Sequence, residues 1–444
     1  MKCIIGWLMI IAATQALFAD THYVSLDGTN DSAHGYTNWA GAATNIQRAV
    51  SAAVASDTVL VSNGTYYLTN MLTIAVNPLT LRSVNGRDVT ILDGQHSNRV
   101  LSSSYLFMDG FTIQNGYSID RPGGVDLRSG TMTNCIVRWN YTASTGSVWN
   151  TFYSENSPQI ANCDIYHNTN TRTATIMLGG PTGIMWNCNI VSNNSGKEAI
   201  TVRSVGSVLS NCLVQWNLGT NGNGGVATIA NEKVLVTHCT ISYNSGMVGA
   251  GGFDLLRGES LLANSIFVSN YSGGGSYAAV NVRGSDIRSC LIYGSSSNGL
   301  YVNDGGETGF VDNCTVVSNW GGGITFDGAT SNKMQVRNMV VWGHIADVTG
   351  TASGTNYCYY CRAGTGNILP PSQGNITNYP AFVDPGAGNW RLNNGSPCIN
   401  AGINQVWMNG ALDLDGRPRL DRFSGQVDMG AYEHLPHGTM VRVH

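Results

Sequence analysis

The chain has 444 residues, of which 11% are charged and 42% are apolar. A net charge of −4 with no long charged run offers no basic field, which excludes nucleic acid as a partner. The length allows one large elongated domain or two to three compact ones.

The first segment, MKCIIGWLMIIAATQALFAD, has the pattern of an export signal. Lys2 supplies a short basic region, residues 3–17 are apolar, and a small-residue cleavage position lies near Ala19. The alternative is a membrane anchor, but the apolar run is short for a bilayer span. We therefore expect residues 1–19 to be a signal peptide. The mature protein should be secreted or held at the cell surface, without a transmembrane segment.

Residues 20–100 predict an N-terminal cap and the first coils of a larger structure. HYVSLDG reads as a strand, and TNIQRAVSAAVAS reads as a helix that begins with Thr44 and Gln47 as a capping box. Ile46, Val50 and Val54 lie on one face of that helix, which we interpret as an end cap. DTVLVSNGTYYL then returns to strand with an Asn-Gly turn.

Residues 101–350 repeat a short unit such as NCTVVSN, in which an anchor residue, usually Cys, recurs every 24 to 28 residues. A period this regular indicates a repeat architecture. The units are rich in Val, Ile, Thr, Asn, Ser and Gly and are too short for paired helices. The anchors are Gly110, Cys135, Cys163, Cys188, Cys212, Cys239, Ser265, Cys290, Cys314 and Met339.

One coil per repeat predicts an all-β fold, a right-handed parallel β-helix of about 10–12 coils. Side chains two apart on a strand share a face, so the anchor and the residue two positions later should both point inward. A second strand with the same alternation follows a glycine in many units, as in GGFDLL and GGITFD. Each coil should rise by about 4.8 Å, one strand spacing.

Two columns of identical side chains should run along this helix. Asn stands five residues after most anchors, where it can bond the backbone of a tight turn and the Asn of the next coil. Asn also tolerates the left-handed conformation that such turns need. Ser295 and His344 replace it in two units. Stacked cysteines would lie too far apart for unstrained disulfides, so we interpret them as buried free thiols.

The whole mature chain resembles the secreted right-handed parallel β-helix repeat proteins of bacteria, which are related in fold to pectate lyases. The resemblance is carried by IQRAV, DTVLV and NGTY near the start, by the repeated NC units, and by FVD, SPCINAG, DLDGRPR and VDMGAYE near the end. Residues 351–444 leave the repeat and resemble the segment called a choice-of-anchor Q domain. The resemblance implies a carbohydrate-related role and a groove on the outer face of one sheet.

Polar side chains concentrate on the outward positions of the glycine-preceded strands. Asp254, Arg283 and Asp327 are candidate catalytic residues for a polysaccharide lyase, which must neutralise a sugar carboxylate and remove a proton from the sugar. Bound Ca²⁺ on Asp254, Asn303 and Asp327 is a possible cofactor for the same task. The alternative is an ordinary solvated face. Candidate substrate-binding residues are Asn281, Tyr301, Asn303 and Arg203.

Hydrolysis is the less favoured reaction, because it needs two carboxyl groups about 5 to 9.5 Å apart. Asp254 and Asp327 should be three coils apart, about 14 Å. Loop carboxyls could supply a partner, although the sequence does not say where they lie. These are Asp304, Glu307 and Asp312.

Three further motifs each have two interpretations. Cys358 and Cys361 form a C-x-x-C that suggests a disulfide or unlinked thiols rather than zinc. Asp413 in DLDG suggests a turn rather than a Ca²⁺ ligand. Trp139 and Trp216 precede ladder asparagines and could contact sugar or pack at a corner.

Two functions remain open from the sequence alone. The first is an exported protein that binds or processes an acidic polysaccharide or cell-surface glycan, with a lyase acting through the groove between Asp254 and Asp327 favoured over a hydrolase. The second is a non-catalytic surface or matrix protein with a structural or adhesive role. In either case we expect a monomer.

Overall fold

The computed structural model describes residues 19–143, 152–154, 156–228, 233–256, 258–274, 278–303, 307–327, 333–350, 358–359, 361–364, 373–420 and 424–434. The expected signal peptide therefore lies, except for Ala19, outside the described residues. Within these ranges, no helix has the length and apolar character needed to cross a membrane.

The chain forms a right-handed parallel β-helix, as the repeat predicts. Each full turn visits three long sheets, here called sheets I, II and III, and a short sheet IV closes seven of the turns. Every strand in these four sheets pairs in parallel with the strand one coil away.

Sheet I contains these strands: Thr21–Val24, Thr58–Val61, Leu79–Ser83, Leu106–Asp109, Gly130–Thr133, Gln159–Ala161, Ile184–Trp186, Val208–Ser210, Leu235–Thr237, Leu261–Ala263, Asp286–Arg288, Gly309–Asp312, Met334–Arg337 and Cys358–Tyr359. Sheet II contains these: Gly64–Tyr67, Thr90–Asp93, Thr112–Gln114, Ile136–Arg138, Asp164–Tyr166, Asn189–Val191, Leu213–Gln215, Thr240–Ser242, Ile266–Val268, Leu291–Tyr293, Thr315–Val317, Val340–Trp342 and Arg362–Ala363.

Sheet III contains these strands: Leu72–Ile74, Leu101–Ser103, Val125–Leu127, Phe152–Ser154, Ile176–Leu178, Ile200–Val202, Val226–Thr228, Phe253–Leu255, Ala278–Arg283, Asn298–Asn303, Gly322–Phe326 and Ala346–Gly350. Sheet IV contains these: Tyr117–Ser118, Tyr141–Thr142, Thr169–Asn170, Asn194–Ser195, Leu218–Gly219, Ser245–Gly246 and Tyr271–Ser272. Outside the coils, Phe382–Asp384 pairs antiparallel with Asn389–Leu392.

The predicted asparagine ladder is confirmed. Six ladder side chains are buried in consecutive coils. In the last five of them, Oδ1 accepts hydrogen bonds from the backbone N–H and the Nδ2 of the Asn one coil before it, whereas Asn140 Oδ1 accepts from Gly116 N. Each Nδ2 also donates to a backbone carbonyl of the preceding coil. The six are Asn140, Asn168, Asn193, Asn217, Asn244 and Asn270.

Two details of the turn differ from the prediction. In the units from Asn140 onward, the left-handed conformation belongs to the residue before the ladder position, such as Trp216 with φ 57°, and not to the ladder Asn itself. In the first unit, Thr112 pairs with Ile136. Phe111, and not the predicted anchor Gly110, is therefore aligned with Cys135. Asn115 therefore lies one residue out of the ladder column.

The cysteines are buried and unlinked, as predicted. The seven column cysteines, Cys135, Cys163, Cys188, Cys212, Cys239, Cys290 and Cys314, are all buried free thiols. Several thiols donate to the carbonyl two residues earlier, as Cys212 Sγ does to Ser210 O at 3.2 Å. Ser265, which replaces Cys in one coil, makes the equivalent bond to Ala263 O at 2.7 Å.

The N-terminal helix spans Ile46–Ala52 and contacts the first strands of sheets I and III. Ile46 and Val50 are buried as predicted, but Val54 is half exposed beyond the end of the helix. The predicted capping box is wrong, because Asn45 is the N-cap and accepts from Gln47 N. The Gln47 side chain instead bonds the Thr73 backbone in sheet III, which ties the helix to the first coils.

The C-terminal segment covers the side of the last coils. Trp390, Met429 and Tyr432 bury the outward Leu291 and Val340 of sheet II in a second apolar cluster. The coils themselves continue past residue 350, because Cys358–Tyr359 and Arg362–Ala363 add strands to sheets I and II. Short 3₁₀ turns complete the described structure at Ser32–His34, Pro385–Ala387 and Val406–Met408.

Candidate functional site

The outer face of sheet III carries a cleft of about 630 Å³. Strand register places Thr201, Ala227 and Asp254 in one outward column on consecutive coils. Loops at residues 221–223 and 248–249 border the cleft on the side that faces sheet IV.

Asp254 lies in the cleft and is 9% exposed. Asn223 Nδ2 donates to its Oδ2 at 3.5 Å, and Arg283 Nη2 lies 3.9 Å from its Oδ1. Burial raises the pKa of the Asp254 carboxyl above its ordinary value, and the positive charge of Arg283 opposes that rise. A carboxyl in this environment keeps its proton to a higher pH than one in water.

Glu198 is a second buried carboxyl in the cleft and is not among the residues predicted from the sequence. It is 7% exposed and accepts a hydrogen bond from the Thr201 hydroxyl. Burial raises the pKa of Glu198, the hydrogen bond from Thr201 opposes the rise, and the negative charge of Asp254 adds to it.

The repeat itself contains the signal that identifies Glu198. In the described coils from Gly123 onward, the residue two positions before the aligned inward residue of sheet III is small or an amide, so the acidic side chain of Glu198 breaks the pattern. The equivalent residues are Gly123, Ala174, Gly224, Gly251, Ala278, Asn298 and Gly322.

Two arginines lie in the same cleft. Arg283 is on the coil after Asp254, as the sequence predicts, and its side chain is 35% exposed. Arg203 follows the strand that contains Thr201, and its Nη1 contacts Met177 Sδ at 3.7 Å. Within the described residues, Arg203 Nε has no hydrogen-bond partner. Both guanidinium groups are therefore positioned to bind an anion in the cleft.

Asn281 pairs with Asp254 in register but is completely buried. Its Oδ1 accepts from Ala278 N at 3.1 Å. The Asn281 side chain lowers the pKa of the Asp254 carboxyl and so opposes the rise due to burial. Because Asn281 is completely buried, it is not exposed to a ligand.

The other three sequence candidates form a separate cluster two and three coils from Asp254. Asp327 Oδ2 accepts from the Tyr301 hydroxyl and from Asn303 Nδ2, the latter at 2.6 Å. Burial and the hydrogen bond to Asp327 raise the pKa of Tyr301 to about 12. None of the three lines the cleft.

The predicted calcium ligands do not fit an ion. Ca²⁺ needs six to eight oxygen atoms that converge on one point. Asp254 and Asp327 are three coils apart, and Asp327 already accepts from Tyr301 and Asn303. Among the described residues, no group of three or more His, Cys, Asp or Glu side chains could hold a metal.

Most of the remaining sequence candidates have structural partners. Asp413 accepts from the N–H groups of Asp415, Arg417 and Glu433, which supports the turn interpretation of DLDG. Asp312 is fully buried and bonds Arg337 and Trp407. Glu307 is exposed, and Asp304 lies outside the described residues.

Comparison with known proteins finds the sequence family described as "Right handed beta helix region" over residues 174–340, which includes the cleft. No curated protein sequence matches the chain.

Solved structures that match the chain include XylC in complex with xylose, at 10% identity and TM-score 0.48, covering 94% of this chain and 98% of that one. Pectate lyase Pel9A has 13% identity and TM-score 0.43, with the same coverage of 94% and 98%. The catalytic unit of an α-1,3-glucanase from Streptomyces thermodiastaticus has 11% identity and TM-score 0.35, covering 70% and 63%. Identities this low give no information about the reaction of this chain.

Proposed function

We propose that the protein cleaves an anionic polysaccharide in the sheet III cleft. The observation that carries this proposal is that two buried carboxyl groups with raised pKa values, Asp254 and Glu198, share one cleft with Arg203 and Arg283. Buried carboxyls are costly to a fold, so two in one open cleft favour a chemical role over a solvated face.

The two carboxyls suit proton transfer because the negative charge of Asp254 helps Glu198 to keep its proton. When two acids interact, one ionises first and the other keeps its proton over an intermediate range of pH. Arg283 favours the ionised form of Asp254, so we assign Asp254 as the base and Glu198 as the acid. Efficient acid–base catalysis needs one group in each state.

The arginines favour an anionic substrate. A guanidinium remains protonated, which makes Arg283 a poor base and a good partner for a sugar carboxylate. Arg203 lies about three coils away along sheet III, roughly 14 Å, a distance that spans several sugar units. We therefore propose a uronate-containing chain that lies along the sheet.

Elimination remains the first candidate reaction. Asp254 would take the proton at C5 of a uronate, the C4–O4 bond would break, and Glu198 would give its proton to the departing oxygen while a C4–C5 double bond forms. Hydrolysis is the second candidate, because Glu198 is a second carboxyl in the same cleft and lies two coils from Asp254, whereas Asp327 lies three coils away.

The proposal is tested on pectin, alginate, ulvan and glycosaminoglycans, following both unsaturated uronate and new reducing ends. Unsaturated product indicates elimination, and reducing ends without it indicate hydrolysis. Asp254→Asn and Glu198→Gln should each lower the rate by about 100-fold or more.

The matched control is Glu259→Gln, which changes an exposed carboxyl outside the cleft and should keep full activity. If Asp254→Asn remains fully active, the site is wrong. If the wild-type protein binds these glycans but cleaves none of them, the adhesive role is correct instead.

A further inference from the structure

Two aromatic side chains lie on the surface outside the cleft, at the corner between sheets II and IV. Trp216 and Tyr243 occupy the same turn position in consecutive coils, directly before the ladder residues Asn217 and Asn244. Their rings are stacked, with centroids 4.4 Å apart and an angle of 10° between the planes. Trp216 is 56% exposed and Tyr243 is 41% exposed. We call these two residues the aromatic pair.

The outer ring faces of the aromatic pair have only small neighbours at the same turn position. Ser192 occupies that position one coil before Trp216, and Ser269 occupies it one coil after Tyr243. Trp139, at the same position in an earlier coil, differs because the Arg138 guanidinium lies 4.3 Å from its ring centroid. The outer faces of the aromatic pair therefore have room for a flat ligand.

The aromatic pair is connected to the cleft along the surface. After Tyr243 the chain passes through the sheet IV strand Ser245–Gly246 to Met247 and Val248, which are both half exposed. Val248 borders the cleft that contains Asp254. A long ligand that leaves the cleft on this side would cross Val248 and Met247 before it reaches Tyr243.

We propose that the aromatic pair is a secondary binding site for the polysaccharide that the cleft cleaves, and this inference rests on the proposed function. A sugar ring presents an apolar face of C–H groups, which packs on the electron-rich face of an aromatic ring. Such a contact tolerates differences in sugar identity, because the aromatic ring packs on a flat apolar surface and does not bind individual hydroxyls. The site would retain long chains and have no effect on short ones.

Affinity electrophoresis in gels that contain polygalacturonate or alginate tests this inference without any turnover. The double variant Trp216→Ala/Tyr243→Ala should bind the polymer about tenfold more weakly than wild type, since aromatic contacts contribute on this scale. Trp139→Ala is the matched control and should be retained like wild type. Tyr243→Phe keeps the ring and should also be retained. Circular dichroism and the thermal midpoint check that each variant is folded.

The experiments can refute the proposed function of the cleft and the proposed role of the aromatic pair independently. Asp254→Asn should lose cleavage but keep retention in the gel. The double variant should cleave a trisaccharide at the wild-type rate and cleave the polymer more slowly. Equal retention of the double variant and the wild type overturns the inference, as does a wild-type protein that neither polymer retards. Full cleavage by Asp254→Asn overturns the proposed function alone.

Discussion

The ladder and the cleft use the same architecture in opposite ways. In the ladder, Asn193 and Asn217 sit in identical environments one coil apart, and each satisfies the turn of its neighbour. On the outer face of sheet III, the column through Thr201, Ala227 and Asp254 changes its chemistry at every coil. When a residue recurs in every coil, parallel stacking places its copies in one column, where they stabilise each other. When a residue breaks the repeat, its side chain has neighbours that occur in no other coil.

The largest expected effect on stability is at the ladder. Asn193→Ala leaves the Asn168 N–H and the Ile165 carbonyl without their side-chain partners in a buried turn. We expect the free energy of unfolding to fall by about 3 kcal/mol, at about 1–3 kcal/mol for each unpaired group. Urea denaturation measures the change.

The adjacent residue provides the control for this prediction. Asn194 is exposed on sheet IV, and its backbone bond to Asn168 O survives substitution. Asn194→Ala should change stability by less than about 0.5 kcal/mol. Equal losses for the two variants would mean that the ladder adds nothing beyond ordinary strand formation.

The thiol column should show an intermediate effect that depends on size. Cys239 is buried, and its Sγ donates to Thr237 O at 3.3 Å. Cys239→Ser can repeat the bond that Ser265 makes one coil later, so we expect a loss of less than about 1 kcal/mol. Cys239→Leu overpacks the column and should cost about 2 kcal/mol. A leucine variant as stable as the serine variant would show that the core is loose there.

At the cleft, removing a charge should stabilise the fold. The pKa of Glu198 is raised above its ordinary value of 4.5, so the folded state keeps a proton that the unfolded state releases. The wild type therefore loses stability as the pH rises from about 4.5 through the folded-state pKa. Glu198→Gln has no such proton and should be more stable than wild type by roughly 1 kcal/mol at neutral pH.

Thermal midpoints measured from acid to neutral pH test the sign. The wild type and Glu198→Gln should have the same thermal midpoint near pH 4. At neutral pH the glutamine variant should have the higher midpoint and low activity. Glu259→Gln, at an exposed position, should follow the wild type throughout. A glutamine variant that is less stable at neutral pH would assign Glu198 a structural role.

The sequence repeat predicts the fold because the residues that form the interior of the β-helix recur in each coil. The Cys anchors, the inward Val and Ile positions and the ladder Asn each recur often enough for one sequence to reveal them. The first unit was placed one residue out of register, because Gly110 resembles an anchor in spacing but Phe111 fills the core. A single unit without the Cys and Asn pair does not specify its own register.

The site was only half predictable, because its residues do not repeat. Strand alternation identified Asp254 and Arg283 as neighbours on one face, and the register agrees. Alternation cannot show what covers a side chain, so it did not reveal that Asn281 is buried. Glu198 lies before its strand begins, where alternation makes no prediction. Comparing the same position across all coils, rather than reading along one strand, identifies it.

The smallest expected effect concerns the cluster beside the cleft. Tyr301 is half-buried and donates to the exposed Asp327, and neither residue lines the cleft. Tyr301→Phe removes one exposed hydrogen bond, and we expect less than a twofold change in activity and less than about 0.5 kcal/mol in stability. Initial rates on the polysaccharide that the wild type cleaves fastest measure the first quantity.

This last comparison decides how far the functional surface extends. The burial that raises the pKa of Tyr301 to about 12 keeps the phenol protonated at neutral pH, where it can only donate its hydrogen or accept one. A loss of tenfold or more in Tyr301→Phe, with binding unchanged, would show that this hydroxyl reaches the reacting sugar. The active surface would then run from Glu198 to Asp327 along sheet III, and the Tyr301–Asp327 cluster would belong to the active site.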